Sequence, residues 1–301
     1  MKILVIGGSG VIGFKLVEYF SKVKKDIEFT YLTNKPNFPK GHSLDITQRN
    51  STIELITKVN PDVVIHTVAL AMDLCETNTK LADSIHVNGT EYVIDGCKIA
   101  GSEMVYLSTS AVFDGKKQQY FEDDQTSPTS YYGVTKFKAE QLVIKSNLPY
   151  LILRTDQPYC WIESWQHTNS VLRVIDNLQS GKVLKEIKDW YNTPTYVPDF
   201  VCVTEKLIDD NMTGIFHVVG SDFVNRYNMS LKVAEVFSLD KNMIEPITSE
   251  TLALPAKRVN VNLNNKKAFK KTSIQMRNIT NGLMEMLKMD HQYNKKSVMN
   301  K

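Results

Sequence analysis

A chain of 301 residues, 42% hydrophobic and 23% charged, has the make-up of a globular protein with one large buried core or a large domain and a smaller partner. A net charge of +3 argues against nucleic acid or a membrane surface as partner, and no apolar run reaches the length of a membrane span. Cys75, Cys97, Cys160 and Cys202 lie far apart, which predicts reduced thiols in a cytoplasmic protein and neither a disulfide frame nor a metal site. The chain enters an apolar run at Lys2, which leaves no room for a cleavable leader.

Lys2–Ile6 predicts the first strand. Gly7-Gly8-Ser9-Gly10-Val11-Ile12-Gly13 follows as a glycine turn, and Phe14–Phe20 as an amphipathic helix. Further strands are predicted at Ile27–Leu32, Val63–Thr67, Met104–Ser108 and Tyr150–Arg154, with helices starting near Val11, Ser51, Ala82 and Ser130. Strands separated by helices predict an α/β fold: a Rossmann-like, doubly wound parallel sheet. Gly214–Gly220 reads as one more strand, whereas Thr168–Leu178 and Ser230–Phe237 read as helices of a smaller C-terminal substrate lobe. The expected division is residues 1–160 for the dinucleotide-binding domain, its sheet completed by 192–224. Residues 161–191 and 225–289 form the lobe, and 290–301 a polar, frayed tail.

The glycine turn sits between a strand and a helix, the context a phosphate-cradling loop requires. Gly7 permits the tight turn, Gly10 lets backbone approach a pyrophosphate, and Gly13 lets helix pack on strand. Val11 and Ile12 open the helix whose unpaired N–H groups and partial positive charge face the phosphates. About twenty residues on, where an acid would hold the ribose hydroxyls of NAD, the chain has Thr33-Asn34-Lys35. One cation and two neutral donors suit a 2′-phosphate, so NADP(H) is the expected cofactor and NAD(H) the alternative. Lys35 as a plain solvated loop charge is the competing reading.

Tyr132 and Lys136 lie four residues apart and share a helix face. A free phenol titrates near 10. A neighbouring ammonium, with the charge of an oxidised nicotinamide, is expected to pull it down and ready it for proton transfer. Ser108-Thr109-Ser110 ends an apolar strand, where a doubly wound sheet places its active site. Thr109 or Ser110 is placed there to hold a substrate oxygen beside Tyr132.

Taken together, these motifs resemble those of the extended short-chain dehydrogenase/reductases, and within them the dTDP-4-dehydrorhamnose reductase group. The resemblance rests on Gly7–Gly13, Asp45-Ile46-Thr47, Pro61–His66, Val87-Asn88-Gly89-Thr90, Ser108–Gly115, Tyr132–Lys136, and Gly214–Gly220 followed by Asn225-Arg226-Tyr227. It implies that Asp45 and Ile46 meet the adenine side of the cofactor and that residues around Ala69 line it. It implies a catalytic set of Thr109, Tyr132 and Lys136. Asn88 is either a support for the proton path or a cap before Gly89. The implied activity is NADPH-dependent reduction of a keto group on a nucleotide-linked sugar, by a monomer or homodimer. The alternatives are an epimerase of the same fold, or a non-enzymatic subunit, because the regulatory β subunit of methionine adenosyltransferase resembles the same group.

The departures fall on the sugar side. Rhamnose reductases usually carry Asp-Tyr after the catalytic Thr, where this chain has Ser110-Ala111. They usually carry a Trp three residues after the Arg that ends the sixth strand, where Gln157 follows Arg154; Trp161 and Trp165 lie close by. Ser110, Gln157 and Trp161 are therefore the expected substrate contacts, and a nucleotide sugar other than dTDP-4-dehydrorhamnose the expected substrate.

Overall fold

The structure, a computed structural model, describes residues 1–299. Seven parallel strands form one sheet: β1 (Lys2–Ile6), β2 (Asp26–Tyr31), β3 (Gly41–Ser43), β4 (Val63–His66), β5 (Glu103–Thr109), β6 (Tyr150–Thr155) and β7 (Gly214–His217). Their order across the sheet is β7-β6-β5-β4-β1-β2-β3. The eight longer helices are α1 (Val11–Lys22), α2 (Arg49–Val59), α3 (Gly89–Ala100), α4 (Tyr131–Ile144), α5 (Ser170–Gln179), α6 (Val197–Asp209), α7 (Arg226–Val236) and α8 (Ile279–Met299).

The central strands are covered on both faces, so they read as unbroken apolar runs. Successive side chains still alternate between faces. Ile3 and Val5 of β1 join Leu16, Val17 and Phe20 of α1 and Phe200 and Val203 of α6 on one side. Leu4 and Ile6 join Ile56 of α2, Val93 of α3 and Val143 of α4 on the other. The chain order reverses between β1 and β4, and the crevice at the carboxyl ends of those strands is where such sheets take ligands.

A second apolar core lies outside the sheet. Val171, Leu172 and Ile175 of α5 pack there with Met229 and Val233 of α7, Leu283 and Met286 of α8, and Tyr159 and Tyr196. A short parallel pair, Leu184–Ile187 with Ile244–Ile247, lies beside α7.

Three elements differ from the sequence reading. β3 is only three residues long and too polar for a strand pattern, yet it pairs with β2. The helix expected near Ala82 is broken into Thr79–Ala82, a π-helical turn at Asp83–Asn88, and then α3. The polar stretch from Asp290, expected to fray, continues α8 as far as Met299; residues 300 and 301 lie outside the described residues. Among the described residues no helix is long and apolar enough to cross a membrane.

Candidate active site

A cleft of about 810 Å³ runs along the carboxyl edge of the sheet, from the glycine turn to the lobe. At its near end Gly7 holds a positive φ of 93°, which an L side chain rarely adopts. A Cβ on Gly13 would lie 2.2 Å from the Gly7 carbonyl oxygen, so the close packing of α1 against the turn depends on that glycine. Gly10 is the N-cap of α1 and no side chain caps the helix. Its first N–H groups therefore remain available to an anion. Gly7, Gly10, Val11, Ile12 and Gly13 all line the cleft, as do Asp45, Ile46 and Ala69. Asp45 accepts from the Thr47 N–H (3.0 Å) and hydroxyl (2.7 Å), and these bonds hold its carboxyl below the usual range. Thr33, Asn34 and Lys35 stand outside the walls: the cleft reaches Tyr31 and Leu32, and the next three residues are exposed in the loop beyond.

Thr109, Tyr132 and Lys136 come together at the far end of β5. The strand delivers Thr109 at its last position, and α4 brings Tyr132 over it from its first turn. Both side chains line the cleft there. Lys136 sits one turn on, 2% exposed. Its Nζ donates to the Leu107 carbonyl (2.6 Å) and lies 4.2 Å from the Tyr106 ring centroid. Burial pulls Lys136 down to about 7, against the charge of Glu140. Burial pushes Tyr132 up to about 12, partly offset by the Thr109 hydroxyl. The expectation that Lys136 lowers the phenol is thus not met by the chain alone: the desolvation cost of a phenolate is the larger effect.

Below this trio lies a charged network. Glu140, fully buried, accepts from Arg154 Nε (2.9 Å) and Nη2 (2.8 Å) and from the Ser108 hydroxyl (2.5 Å). It shares a helix face with Lys136 and fixes β5 and β6 to α4.

The π-helical turn changes which residue faces α4. Asn88 is exposed, so neither the proton-path role nor a capping bond is seen for it. His86 is buried in its place. Its Nε2 accepts from the Leu70 N–H (2.7 Å), so Nδ1 carries the proton and donates to the Thr135 hydroxyl (2.8 Å). Thr135 in turn donates to the Tyr132 carbonyl (3.0 Å). The imidazole meets the Tyr132 ring edge-on, with centroids 5.6 Å apart. Burial and the nearby Lys136 push His86 down to about 2, so it works as a neutral strut between the loop at Ala69–Ala71 and α4.

On the lobe side, Ser110, Gln157, Trp190, Asn192 and Arg258 line the cleft. Gln157 has φ 38° and accepts from Arg226 Nη1 (2.9 Å). Arg258 donates to both oxygens of Asp73 (2.8 and 2.7 Å), joining the C-terminal loop to the helix at Met72–Thr77. Trp161 is elsewhere. Its indole N–H donates to the Met286 carbonyl (2.8 Å), and its ring meets Phe237 edge-on in the lobe core. Trp165 packs against Phe14. The tryptophan that does line the cleft is Trp190, 5.3 Å from the Arg258 guanidinium.

Sequence reasoning passed over Asp156. It follows the end of β6 as Ser110 follows the end of β5, and Thr109 pairs with Thr155 in register. That position at a strand's carboxyl end was the available signal.

A doubly wound sheet whose carboxyl edge carries a glycine turn and a Tyr–Lys pair defines a Rossmann-like fold. Residues 1–292 match the model of the RmlD substrate binding domain, and the chain belongs to that family. It is 26% identical over 255 residues to methionine adenosyltransferase 2 subunit beta of Bos taurus, covering 82% of this chain and 75% of that one. It is similar in structure to a dTDP-4-dehydrorhamnose reductase of Clostridium acetobutylicum (TM-score 0.84, 28% identity, 97% of this chain and 100% of that one). It is likewise similar to the dTDP-4-dehydrorhamnose reductase of Bacillus anthracis in complex with NADP (TM-score 0.85, 25% identity, 95% and 99%).

Proposed function

We propose that this protein is an NADPH-dependent reductase of a keto group on a nucleotide-linked sugar. The observation that carries the reading is the Thr109–Tyr132–Lys136 trio at the carboxyl end of β5. It sits in the same cleft as a glycine turn that has no room for a Cβ at Gly13. The residues present fit a dinucleotide: uncapped N–H groups of α1 for the pyrophosphate, Asp45 and Ile46 for the adenine side, and Lys136 for the nicotinamide ribose. When bound, NADPH supplies the hydride. Tyr132 stays protonated across the physiological range and donates its proton to the developing alkoxide. Thr109 hydrogen-bonds the same oxygen, and Lys136 supplies positive charge behind the phenol. The NADP complex of the Bacillus anthracis reductase supports NADPH over NADH, as does the lack of an acid at Thr33–Lys35.

The test is NADPH consumption with a panel of 4-keto sugar nucleotides, dTDP-4-dehydrorhamnose among them. Stoichiometric oxidation with one of them supports the reading. Interconversion of sugars without net oxidation supports an epimerase instead. The similarity to the methionine adenosyltransferase β subunit supports one further reading, a cofactor-binding partner of a synthetase. No turnover with any sugar, together with co-purification of a synthetase, would favour that.

A further inference from the structure

Asp156 is 7% exposed, lines the cleft, and lies one residue beyond the strand position that pairs with the catalytic Thr109. Its Oδ2 accepts from the Thr193 N–H (2.9 Å) and hydroxyl (3.4 Å). Both donors are neutral, and among the described residues no cation hydrogen-bonds this carboxylate. Burying a carboxylate beside the reacting centre costs stability. Asn192 carries a second such cost. It is 4% exposed and lines the same cleft, and its amide oxygen finds no donor among the described residues. Buried acceptors without partners are rare, and each calls for an explanation. Two neighbouring acceptors are satisfied by a ligand that brings donors.

We propose that Asp156 and Asn192 form the subsite that reads ring hydroxyls of the sugar, and so determine specificity on the side of the cleft away from the glycine turn. This rests on the nucleotide-sugar reading. It also accounts for Ser110 standing where rhamnose reductases usually have an acid: the carboxylate comes from the end of β6 instead, and both residues line the cleft. Such a site discriminates strongly, because a sugar lacking the hydroxyl leaves the Asn192 oxygen unpaired and the Asp156 charge without a donor from the ligand.

Calorimetric titration of the NADPH-loaded protein tests this with two ligand pairs, UDP against UDP-glucose and dTDP against dTDP-glucose. The quantity read is the affinity gained on adding the sugar. Asp156→Asn keeps the shape and an acceptor for Thr193 but removes the charge, and is expected to cut that gain by about tenfold or more. Asn192→Leu removes the orphaned oxygen. It is expected to cut the same gain while leaving the melting temperature of the free protein unchanged or raised, which a merely structural residue would not do. NADPH affinity is expected to stay within about twofold in both variants.

The proposal is overturned if neither sugar adds affinity in the parent protein, or if the gain is the same in parent and both variants. Oxidation of NADPH by a keto-sugar with an unchanged gain would sink this subsite and leave the reductase reading standing. A gain lost in both variants, in a protein that turns over no keto-sugar, would do the reverse.

Discussion

Removing the charge of Glu140 should unfold this protein well before it touches the cofactor. Glu140 and Arg154 have side chains 0% and 3% exposed, and they meet through two hydrogen bonds, 2.9 and 2.8 Å long. In Glu140→Gln the guanidinium keeps weak neighbours, the Glu122 carbonyl at 3.3 Å and His217 Nε2 at 3.4 Å, and no counter-charge in hydrogen-bond contact. Breaking one side of a buried pair costs about 3–5 kcal/mol. At about 2.1 cal/mol/K per residue, a chain of 301 residues has an unfolding entropy of about 0.6 kcal/mol/K, so the melting temperature should fall by about 5–8 °C. Glu140 is also the charge that opposes the desolvation of Lys136; its loss should leave Lys136 more often neutral at pH 7 and lower turnover as well. The assay is thermal unfolding without ligand, because a bound cofactor would mask the change. The double variant Glu140→Gln with Arg154→Met removes both charges and should recover part of the loss. A drop under about 1.5 °C for the single variant would refute the argument, since a buried, uncompensated guanidinium cannot cost so little.

Gly13→Ala should abolish NADPH binding in a fluorescence titration, because the new methyl would overlap the Gly7 carbonyl oxygen and displace the turn; binding within about threefold of the parent would show that the turn yields. Tyr132→Phe should keep NADPH affinity and lower kcat by about 100-fold or more, the ring remaining while the proton donor is lost; parental turnover would remove Tyr132 from the mechanism. Lys35→Glu should weaken NADPH more than NADH through charge repulsion. Equal effects would mean that the exposed loop does not reach the 2′ position. Asp156 is pushed up by burial to about 6 from 3.8, so the folded state holds a proton that the unfolded state has released. Its contribution to stability is therefore greatest below about pH 4 and declines as pH rises through about 6, by at most about 3 kcal/mol. Urea unfolding at pH 4 and pH 7 should show this slope reduced in Asp156→Asn; identical slopes would place the proton elsewhere.

The glycine turn, the central strands and the Thr–Tyr–Lys set were legible because each is local: a strand, a turn and a helix read from adjacent residues, with ends misjudged by only one or two positions. Trp161 was misread because its distance in sequence from Gln157 says nothing of the lobe core that claims its indole. Asp156 and Asn192 were missed because they meet only after β6 and the lobe loop are brought together, 36 residues apart in the chain. The Tyr132 expectation failed on magnitude. Tyr132 and Lys136 do share a helix, but burial, which no spacing reveals, pushes the phenol up.

The π-helical turn at Asp83–Asn88 can be viewed as an α-helix carrying one extra residue. Deleting any one residue there would restore regular winding and turn everything before it by about 100° relative to α3. Leu70 would lose its imidazole partner, and the wall at Ala69–Ala71 would come away from α4. In this protein the fit between cofactor wall and α4 is thus adjustable by chain length, a coarser and rarer change than substitution, and a lineage that lost the extra residue would have to rebuild that wall from different side chains.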